Sequence, residues 1–193
     1  CWGYVTPFGR EIAIVGLSGG TGFVDVTNPG ASEIIAFIPG PTSLWRNVKT
    51  YQNYCYAVSE GGGGIQVFDL ANIDNGVVTQ LPSVTTGGGQ STHTMIINTQ
   101  TGYLYRMGGG SNGVRVYSLS NPASPTFVAQ WQDKYTHDGF VVNYTSGPYA
   151  GKEIVFACGG LNGGFQDTGV DILDVTNKSN IQYLSHATYS GRA

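Results

Sequence analysis

Charged side chains are scarce in this sequence of 193 residues, because Asp, Glu, Lys and Arg make up only 11% of it. A typical soluble domain has about a quarter. The nine basic residues are spread along the chain and the net charge is −3, so no basic patch indicates a nucleic-acid partner. No apolar run approaches the roughly 18 residues of a membrane-spanning helix. We therefore expect no nucleic-acid partner and no membrane span in this chain.

Cysteine is also rare, with only Cys1, Cys55 and Cys158. Their spacing matches no metal-ligand pattern, and an odd number permits at most one internal disulfide, whose pairing the sequence does not fix. For Cys55 we expect a small buried hydrophobic side chain.

Glycine and tyrosine take the place of the missing charges. The chain has 30 glycines and 12 tyrosines, and hydrophobic residues make up 40% of it. This length suits one domain with a substantial core. Surfaces that rely on Gly, Ser, Thr, Asn and Tyr are common outside cells, so the composition favours an extracellular or cell-surface location.

One four-residue phrase recurs four times, each time after a short apolar segment. It reads Asp-Val-Thr-Asn at 25–28, Asp-Leu-Ala-Asn at 69–72, Ser-Leu-Ser-Asn at 118–121 and Asp-Val-Thr-Asn at 174–177. Successive copies lie 44, 49 and 56 residues apart. A period of roughly 40 to 50 residues with only strand signals inside it is typical of β-propeller blades. Because Asp, Ser and Asn side chains bond nearby amides in tight turns, we interpret the phrase as turn chemistry.

Each repeat has the same order of parts: a first strand, a second strand, a glycine-rich turn, a third strand that ends in the phrase, and an outer fourth strand. β-branched and aromatic residues are enriched, and no capped segment has a helical period. We predict an all-β fold, a β-propeller of about four blades with four antiparallel strands each. One domain spans 1–193, with repeat units at about 1–42, 43–88, 89–133 and 134–193. Both ends fall inside the repeat pattern, so we expect a part of a larger propeller.

Several stretches resemble a known family. Residues 11–16 and 23–26 look like LVIVD-repeat propellers, and the chain is more closely similar to the choice-of-anchor B family of secreted, surface-anchored bacterial proteins. The matching stretches are 2–4 (Trp-Gly-Tyr), 45–49 (Trp-Arg-Asn-Val-Lys), 135–138 (Tyr-Thr-His-Asp) and 149–154 (Tyr-Ala-Gly-Lys-Glu-Ile). The resemblance runs from Trp2 to about Tyr189. It implies an extracellular location and a propeller longer than this chain, and it brings no established reaction.

Positional equivalence supplies the candidate site. Arg46, His93 and His137 occupy the entry position of the first strand in successive units, and Trp2 is expected to occupy it in the opening unit. First strands line the propeller axis, so these side chains should meet at one mouth of the channel. The predicted ligand-binding residues are therefore Trp2, Arg46, Asn47, His93, His137 and Asp138.

What such a site would hold stays open. His93, His137 and Asp138 could bind a divalent metal, whereas Arg46 suits an anionic ligand and its charge opposes a metal. A hydrogen-bonded lining without a ligand is the remaining alternative. Separately, Asp167 and Asp171 could bind calcium. No cofactor is implied beyond a divalent metal such as calcium.

Three functional hypotheses follow. The first is an extracellular binding or scaffold module for a protein or glycan, with Trp131, Tyr135 and Tyr149 as exposed stacking residues. The second is a metal- or anion-dependent enzyme that uses the channel-mouth Arg, His and Asp residues. The third is a structural subunit that self-associates through exposed strand edges. Because no recognised catalytic motif is present, the sequence favours binding over catalysis. It does not determine the ligand, the oligomeric state or the number of blades in the whole propeller.

Overall fold

The computed structural model describes residues 1–159 and 168–189, which form sixteen β-strands in four antiparallel sheets. The first sheet contains β1 (Trp2–Val5), β2 (Glu11–Leu17), β3 (Gly20–Asp25) and β4 (Glu33–Pro39). The second contains β5 (Arg46–Tyr51), β6 (Tyr54–Ser59), β7 (Ile65–Asp69) and β8 (Thr79–Val84). The third contains β9 (Thr94–Asn98), β10 (Tyr103–Met107), β11 (Val114–Ser118) and β12 (Thr126–Trp131). The fourth contains β13 (Asp138–Asn143), β14 (Glu153–Gly159), β15 (Gly169–Asp174) and β16 (Gln182–Thr188).

Every sheet is a meander in which strands adjacent in sequence pair with each other. Each sheet lies within one of the four predicted repeat units. In the described ranges the only helical elements are three 3₁₀ turns, at Pro29–Ala31, Ile73–Asn75 and Gly147–Tyr149. The prediction of an all-β chain with four blades of four antiparallel strands is confirmed.

Neighbouring sheets bury their apolar faces against each other in three cores. Because strand residues alternate between faces, β6 serves two cores at once. Cys55 and Ala57 point toward the first sheet, and Tyr56 and Val58 point toward the third. The first strands β1, β5, β9 and β13 contact one another in this order, which places them on the inner side of the arrangement.

The four sheets form an open arc, since the first and fourth do not close a ring in the described part of the chain. The outer faces of the first and fourth sheets carry apolar side chains that are largely exposed to solvent, such as Ile34 (77% exposed) and Phe140 (67% exposed). In the inner sheets the faces are buried. An open arc is consistent with the predicted part of a larger propeller.

The repeated phrase ties the third strand of each sheet to the hairpin between the first two. Asp25 Oδ1 accepts hydrogen bonds from the amide of Thr27 at 2.9 Å and from its hydroxyl at 2.5 Å. The Thr27 hydroxyl oxygen then accepts from the amide of Glu11 at 2.9 Å. Bonds from the Thr27 hydroxyl, the Thr27 amide and the Arg10 guanidinium lower the pKa of Asp25 to about 2.

The other copies use the same geometry with different strength. In the fourth sheet Asp174 and Thr176 repeat the pattern, and Lys152 adds an ion pair at 2.7 Å to Asp174. In the third sheet the hydroxyl of Ser118 accepts from the amide of Ser120 at 3.2 Å. The interpretation of the phrase as turn chemistry agrees with these bonds.

All three cysteines lie in the described ranges, and none forms a disulfide. Cys55 is fully buried in the core between the first two sheets, and burial raises the pKa of its thiol. The expectation of a small buried hydrophobic residue is met.

The turn phrase yields a stability prediction. Asp174→Ala removes a carboxylate that accepts from Thr176 and pairs with Lys152, so we expect a loss of about 1–3 kcal/mol in unfolding free energy at pH 7. The matched change Ser118→Ala removes two neutral, exposed bonds to Ser120, both 3.2 Å long, and should cost about 1 kcal/mol or less. Urea denaturation of both variants measures the difference.

Acid should erase the effect of Asp174→Ala. Burial raises the pKa of Asp174, but hydrogen bonds from Lys152 and Thr176 outweigh it and hold the pKa below its ordinary 3.8. A lowered folded-state pKa stabilises the protein above the unfolded pKa and ceases to do so as the pH falls through the folded value. The gap between wild type and variant should therefore shrink below about pH 4. A gap that is constant down to pH 2.5 would contradict this account.

Candidate functional site

The strand registers show which first-strand residues are equivalent. In the second, third and fourth sheets, the first residue of the repeated phrase pairs with a residue of the second strand, and that residue pairs with one of the first strand. The first-strand residues found in this way are Tyr51, Asn98 and Val142. Arg46, His93 and His137 each precede these residues by five positions. The three side chains predicted to share one level of the inner strands therefore do share it.

Trp2 does not belong to this level. In the first sheet the same register leads to Tyr4 as the reference residue of the first strand. Trp2 precedes Tyr4 by only two positions, so it is equivalent to Lys49 and Phe140. The Lys49 Nζ lies 4.1 Å from the centroid of the Trp2 ring, and the indole donates to the Thr50 hydroxyl at 3.0 Å. The expectation that Trp2 lies at the mouth is corrected: it lies farther along the inner face, because β1 begins three residues later in the register.

Arg46 holds the first two sheets together. Its guanidinium donates from Nε to the Leu17 carbonyl at 3.0 Å, from Nη2 to the Pro41 carbonyl at 2.6 Å and from Nη1 to the Gln66 side chain at 2.9 Å. Burial lowers the pKa of Arg46. All three guanidinium nitrogens thus donate to groups of this chain, so Arg46 positions the segment between the first two sheets and does not bind an anion. The next residue, Asn47, keeps a buried Oδ1 that accepts no hydrogen bond from any described residue.

His93 and His137 meet at the mouth, together with two residues that the sequence analysis did not select. We call Trp45, Glu60, His93 and His137 the mouth cluster. The His93 and His137 rings lie 4.0 Å apart between centroids at 33°, and the Trp45 ring is 5.6 Å from His93. Glu60 Oε1 lies 2.6 Å from His93 Nδ1. Tyr135 closes the row of rings at 6.5 Å from His137.

Backbone ladders set the two imidazoles in place. His93 and His137 donate their amides to the Met107 and Cys158 carbonyls at 3.0 and 2.8 Å, which extends each first strand by one residue. Glu60 follows β6 and enters the glycine-rich turn, and its carbonyl accepts from the Ser91 hydroxyl at 2.9 Å. The sequence signal for this residue is a carboxylate directly before four consecutive glycines.

The electrostatics of the mouth cluster keep one imidazole neutral. Burial lowers the pKa of His137, and the neighbouring His93 lowers it further, against the smaller effects of Asp138 and Glu60. The ring nitrogen of His93 that faces Glu60 is fixed by the carboxylate, which leaves Nε2 as the nitrogen available to a ligand or a proton. The cluster thus combines an oriented imidazole, a carboxylate and a half-exposed indole.

The structure does not assemble the metal site predicted from His93, His137 and Asp138. No group of three metal-ligating side chains occurs among the described residues. The two imidazoles stack on each other, and Asp138 is exposed and accepts from the amide of Gly139 at 2.8 Å. Stacking aligns the ring faces, whereas metal binding needs convergent nitrogen lone pairs.

The predicted calcium ligands are only partly in view, because Asp167 lies outside the described residues. Asp171 is 1% exposed and its Oδ1 contacts His186 Nδ1 at 2.7 Å and Lys134 Nζ at 3.3 Å. These nitrogen groups occupy the carboxylate oxygen that calcium would need.

The three aromatic residues predicted to be exposed differ. Trp131 is 7% exposed and donates to Asp133, and Tyr135 is 3% exposed. Trp131 belongs to the core between the third and fourth sheets. Of the three, only Tyr149 is open to solvent, at 46%. The large exposed side chains near the mouth are instead Trp45 at 55% and its neighbour Leu44 at 88%.

Comparisons with solved structures identify the fold. A candidate 6-phosphogluconolactonase from Bacteroides fragilis has a TM-score of 0.67 at 13% identity, over 96% of this chain and 56% of that one. The periplasmic gluconolactonase of Pseudomonas aeruginosa has a TM-score of 0.67 at 12% identity, over 99% and 57%. An auxiliary nutrient binding protein from Bacteroides ovatus has a TM-score of 0.56 at 12% identity, over 94% and 46%.

These likenesses show a β-propeller fold and no more, because the identities are low. The chain spans about half the length of the solved structures that it matches. No protein-family model and no curated sequence matches the chain, so the resemblance to the choice-of-anchor B family stays a prediction. In the described part of the chain, no helix is long and apolar enough to cross a membrane.

The neutral His137 predicts a pH dependence of stability. Its folded-state pKa lies below the ordinary 6.5, so the unfolded chain takes up the proton first as the pH falls. Stability should then decrease between about pH 6.5 and the lowered folded value. Thermal unfolding of wild type and His137→Phe from pH 7.5 to 5 should show a smaller decrease in the variant. Parallel curves for the two proteins would contradict the prediction.

Proposed function

We propose that this chain is an extracellular or cell-surface β-propeller binding module whose ligand surface is the mouth cluster. The observation that supports this most directly is the continuous row of rings from Trp45 through His93 to His137, with the indole 55% exposed at its open end. A row of ring faces beside a carboxylate offers one flat apolar surface and one acceptor edge.

A glycan is the ligand that suits this surface. The C–H face of a sugar ring stacks on aromatic rings, and its hydroxyls donate to carboxylate and amide oxygens. Glu60 supplies the carboxylate next to the rings, 24% exposed. A protein loop with a planar side chain is the alternative ligand, and Leu44 beside Trp45 would add apolar contact.

The location rests on two further arguments. The low charge of 11% is compatible with an extracellular surface, and the resemblance to surface-anchored choice-of-anchor B and LVIVD-repeat proteins implies the same place. One structurally similar protein is named as a nutrient binding protein, which supports ligand binding as a role for this fold.

Binding to the row of rings is tested by Trp45→Ala. We expect the variant to lose at least tenfold in affinity for any oligosaccharide that the wild type binds, since burial of a large apolar side chain contributes about 1.5–3 kcal/mol. The matched control is Phe8→Ala, which removes an 85% exposed ring in the turn between β1 and β2. Glycan-array screening followed by isothermal titration calorimetry gives the affinities. Equal affinities for Trp45→Ala and wild type would refute the ring platform.

Catalysis is a second candidate, favoured by the 2.6 Å contact between Glu60 and His93. A carboxylate that orients an imidazole creates a general base, which can take a proton from water as the water attacks a carbonyl carbon. Two of the similar structures are named as lactonases, and a lactone carbonyl is a substrate that such a base would serve. His93 would accept the proton at Nε2, and Glu60 would stabilise the imidazolium.

The two candidates are separated by Glu60→Gln. If the protein hydrolyses lactones, this variant should lose roughly 100-fold in kcat, within the usual contribution of general-base catalysis. Its glycan affinity should fall only a few-fold, because the Gln side-chain oxygen still accepts from sugar hydroxyls. Asp138→Asn, a nearby carboxylate without contact to His93, is the control. Proton release from a panel of sugar lactones in a pH-stat provides the readout, and wild-type rates equal to buffer would exclude the catalytic candidate.

A further inference from the structure

Two arginines are buried side by side in the third sheet. Arg106 in β10 lies directly opposite Arg115 in β11, and they are 1% and 7% exposed. Their face of the sheet also carries Leu104 and Tyr117, which belong to the core against the second sheet. The pair therefore lies at the boundary between two blades.

No carboxylate in the described part of the chain neutralises these charges. Neither arginine forms an ion pair with any described residue, whereas the buried Lys178 pairs with Glu153 at 2.8 Å. Burial lowers the pKa of Arg106, and the charge of Arg115 lowers it further, whereas the interaction with Tyr117 raises it. Guanidinium groups stay protonated even so. Two like charges on neighbouring strands repel each other, most strongly where water is excluded.

The hydrogen bonds of the pair are also incomplete. Arg106 donates from Nη2 to the Gly88 carbonyl at 2.8 Å, while its buried Nη1 has no partner among the described residues. Arg115 donates from Nε to the Gly87 carbonyl at 3.1 Å and reaches the Asn112 carbonyl only at 3.5 Å. Each guanidinium has five N–H donors, so neutral carbonyls satisfy only part of the pair.

The cover over the pair is a short glycine loop before β9. Gly87, Gly88 and Gly89 have φ angles of 83°, 70° and 50°, which lets their backbone approach the arginines closely. A Cβ on Gly89 would lie 2.6 Å from the Ser111 hydroxyl and 3.3 Å from Arg115 Nη2. The glycine loop thus packs directly on the Ser111 hydroxyl and the Arg115 guanidinium, and no carboxylate of the described residues pairs with either arginine.

We propose that Arg106 and Arg115 form a binding site for a compact oxyanion, a phosphate, sulfate or carboxylate group, beneath residues 87–89. The guanidinium edges would bind its oxygens in the bidentate geometry that arginine favours, and the Ser111 hydroxyl would donate a further bond. The carbonyls of Gly87 and Gly88 are the partners that the anion would replace. The anion is either free or a substituent of a sugar. The site shares no residue with the mouth cluster.

Thermal unfolding tests the site. Millimolar sodium phosphate or sodium sulfate should raise the melting temperature of the wild type saturably by a few degrees, relative to sodium chloride of equal ionic strength. Both anions also stabilise proteins non-specifically, so the specific part is the difference from Arg106→Met, in which the saturable rise should vanish. Arg10→Gln removes an arginine that already pairs with Asp25 at 2.7 Å, and this control should keep the rise.

A second measurement covers failure of Arg106→Met to fold. The ³¹P resonance of inorganic phosphate should broaden with wild-type protein and stay sharp with Arg115→Gln. Glucose 6-phosphate compared with glucose and free phosphate separates the two sources of the anion: stronger stabilisation by glucose 6-phosphate than by phosphate indicates a sugar-linked group. Absence of any saturable effect of phosphate, sulfate and glucose 6-phosphate on the wild type, or an equal effect in Arg106→Met, would overturn the proposal.

Discussion

Burial of apolar sheet faces against neighbouring sheets is the interaction on which the rest of this structure depends. A four-stranded meander has two faces, and alternation along each strand gives both faces apolar residues. β6 shows this directly, with Cys55 in one core and Tyr56 in the next. Removal of such side chains from water dominates the stability of the arrangement. It also forces the sheets into a series, since each sheet needs a partner on both sides.

This packing creates the mouth cluster as a consequence. Because equivalent first strands line up on the inner side, residues at one register position come together although they are far apart in sequence. His93 and His137 meet at 4.0 Å for this reason. The same packing places Arg106 and Arg115 between blades, where no described carboxylate pairs with them. The polar groups to which we assign a function are thus those whose charges or hydrogen bonds the apolar packing leaves incompletely paired.

The sequence predicted the larger features because they repeat. The period of the turn phrase and the order of strands gave the four sheets, and shared spacing placed Arg46, His93 and His137 at one level. Prediction failed where a residue's partner depends on another blade. Arg46 was interpreted as a ligand residue, but its guanidinium binds Leu17, Pro41 and Gln66. Trp131 and Tyr135 are predicted at the surface, yet both are buried.

By itself, the sequence determined the all-β character, the four repeats and the turn bonds of residues such as Asp25 and Asp174, because these depend on local periodicity and on side chains two residues away. Only the tertiary structure decided that Glu60 orients His93, that Trp2 lies below the mouth, and that two arginines are buried together. These depend on the register between strands and on contacts between blades. Such contacts join residues tens of positions apart, and no local pattern encodes them.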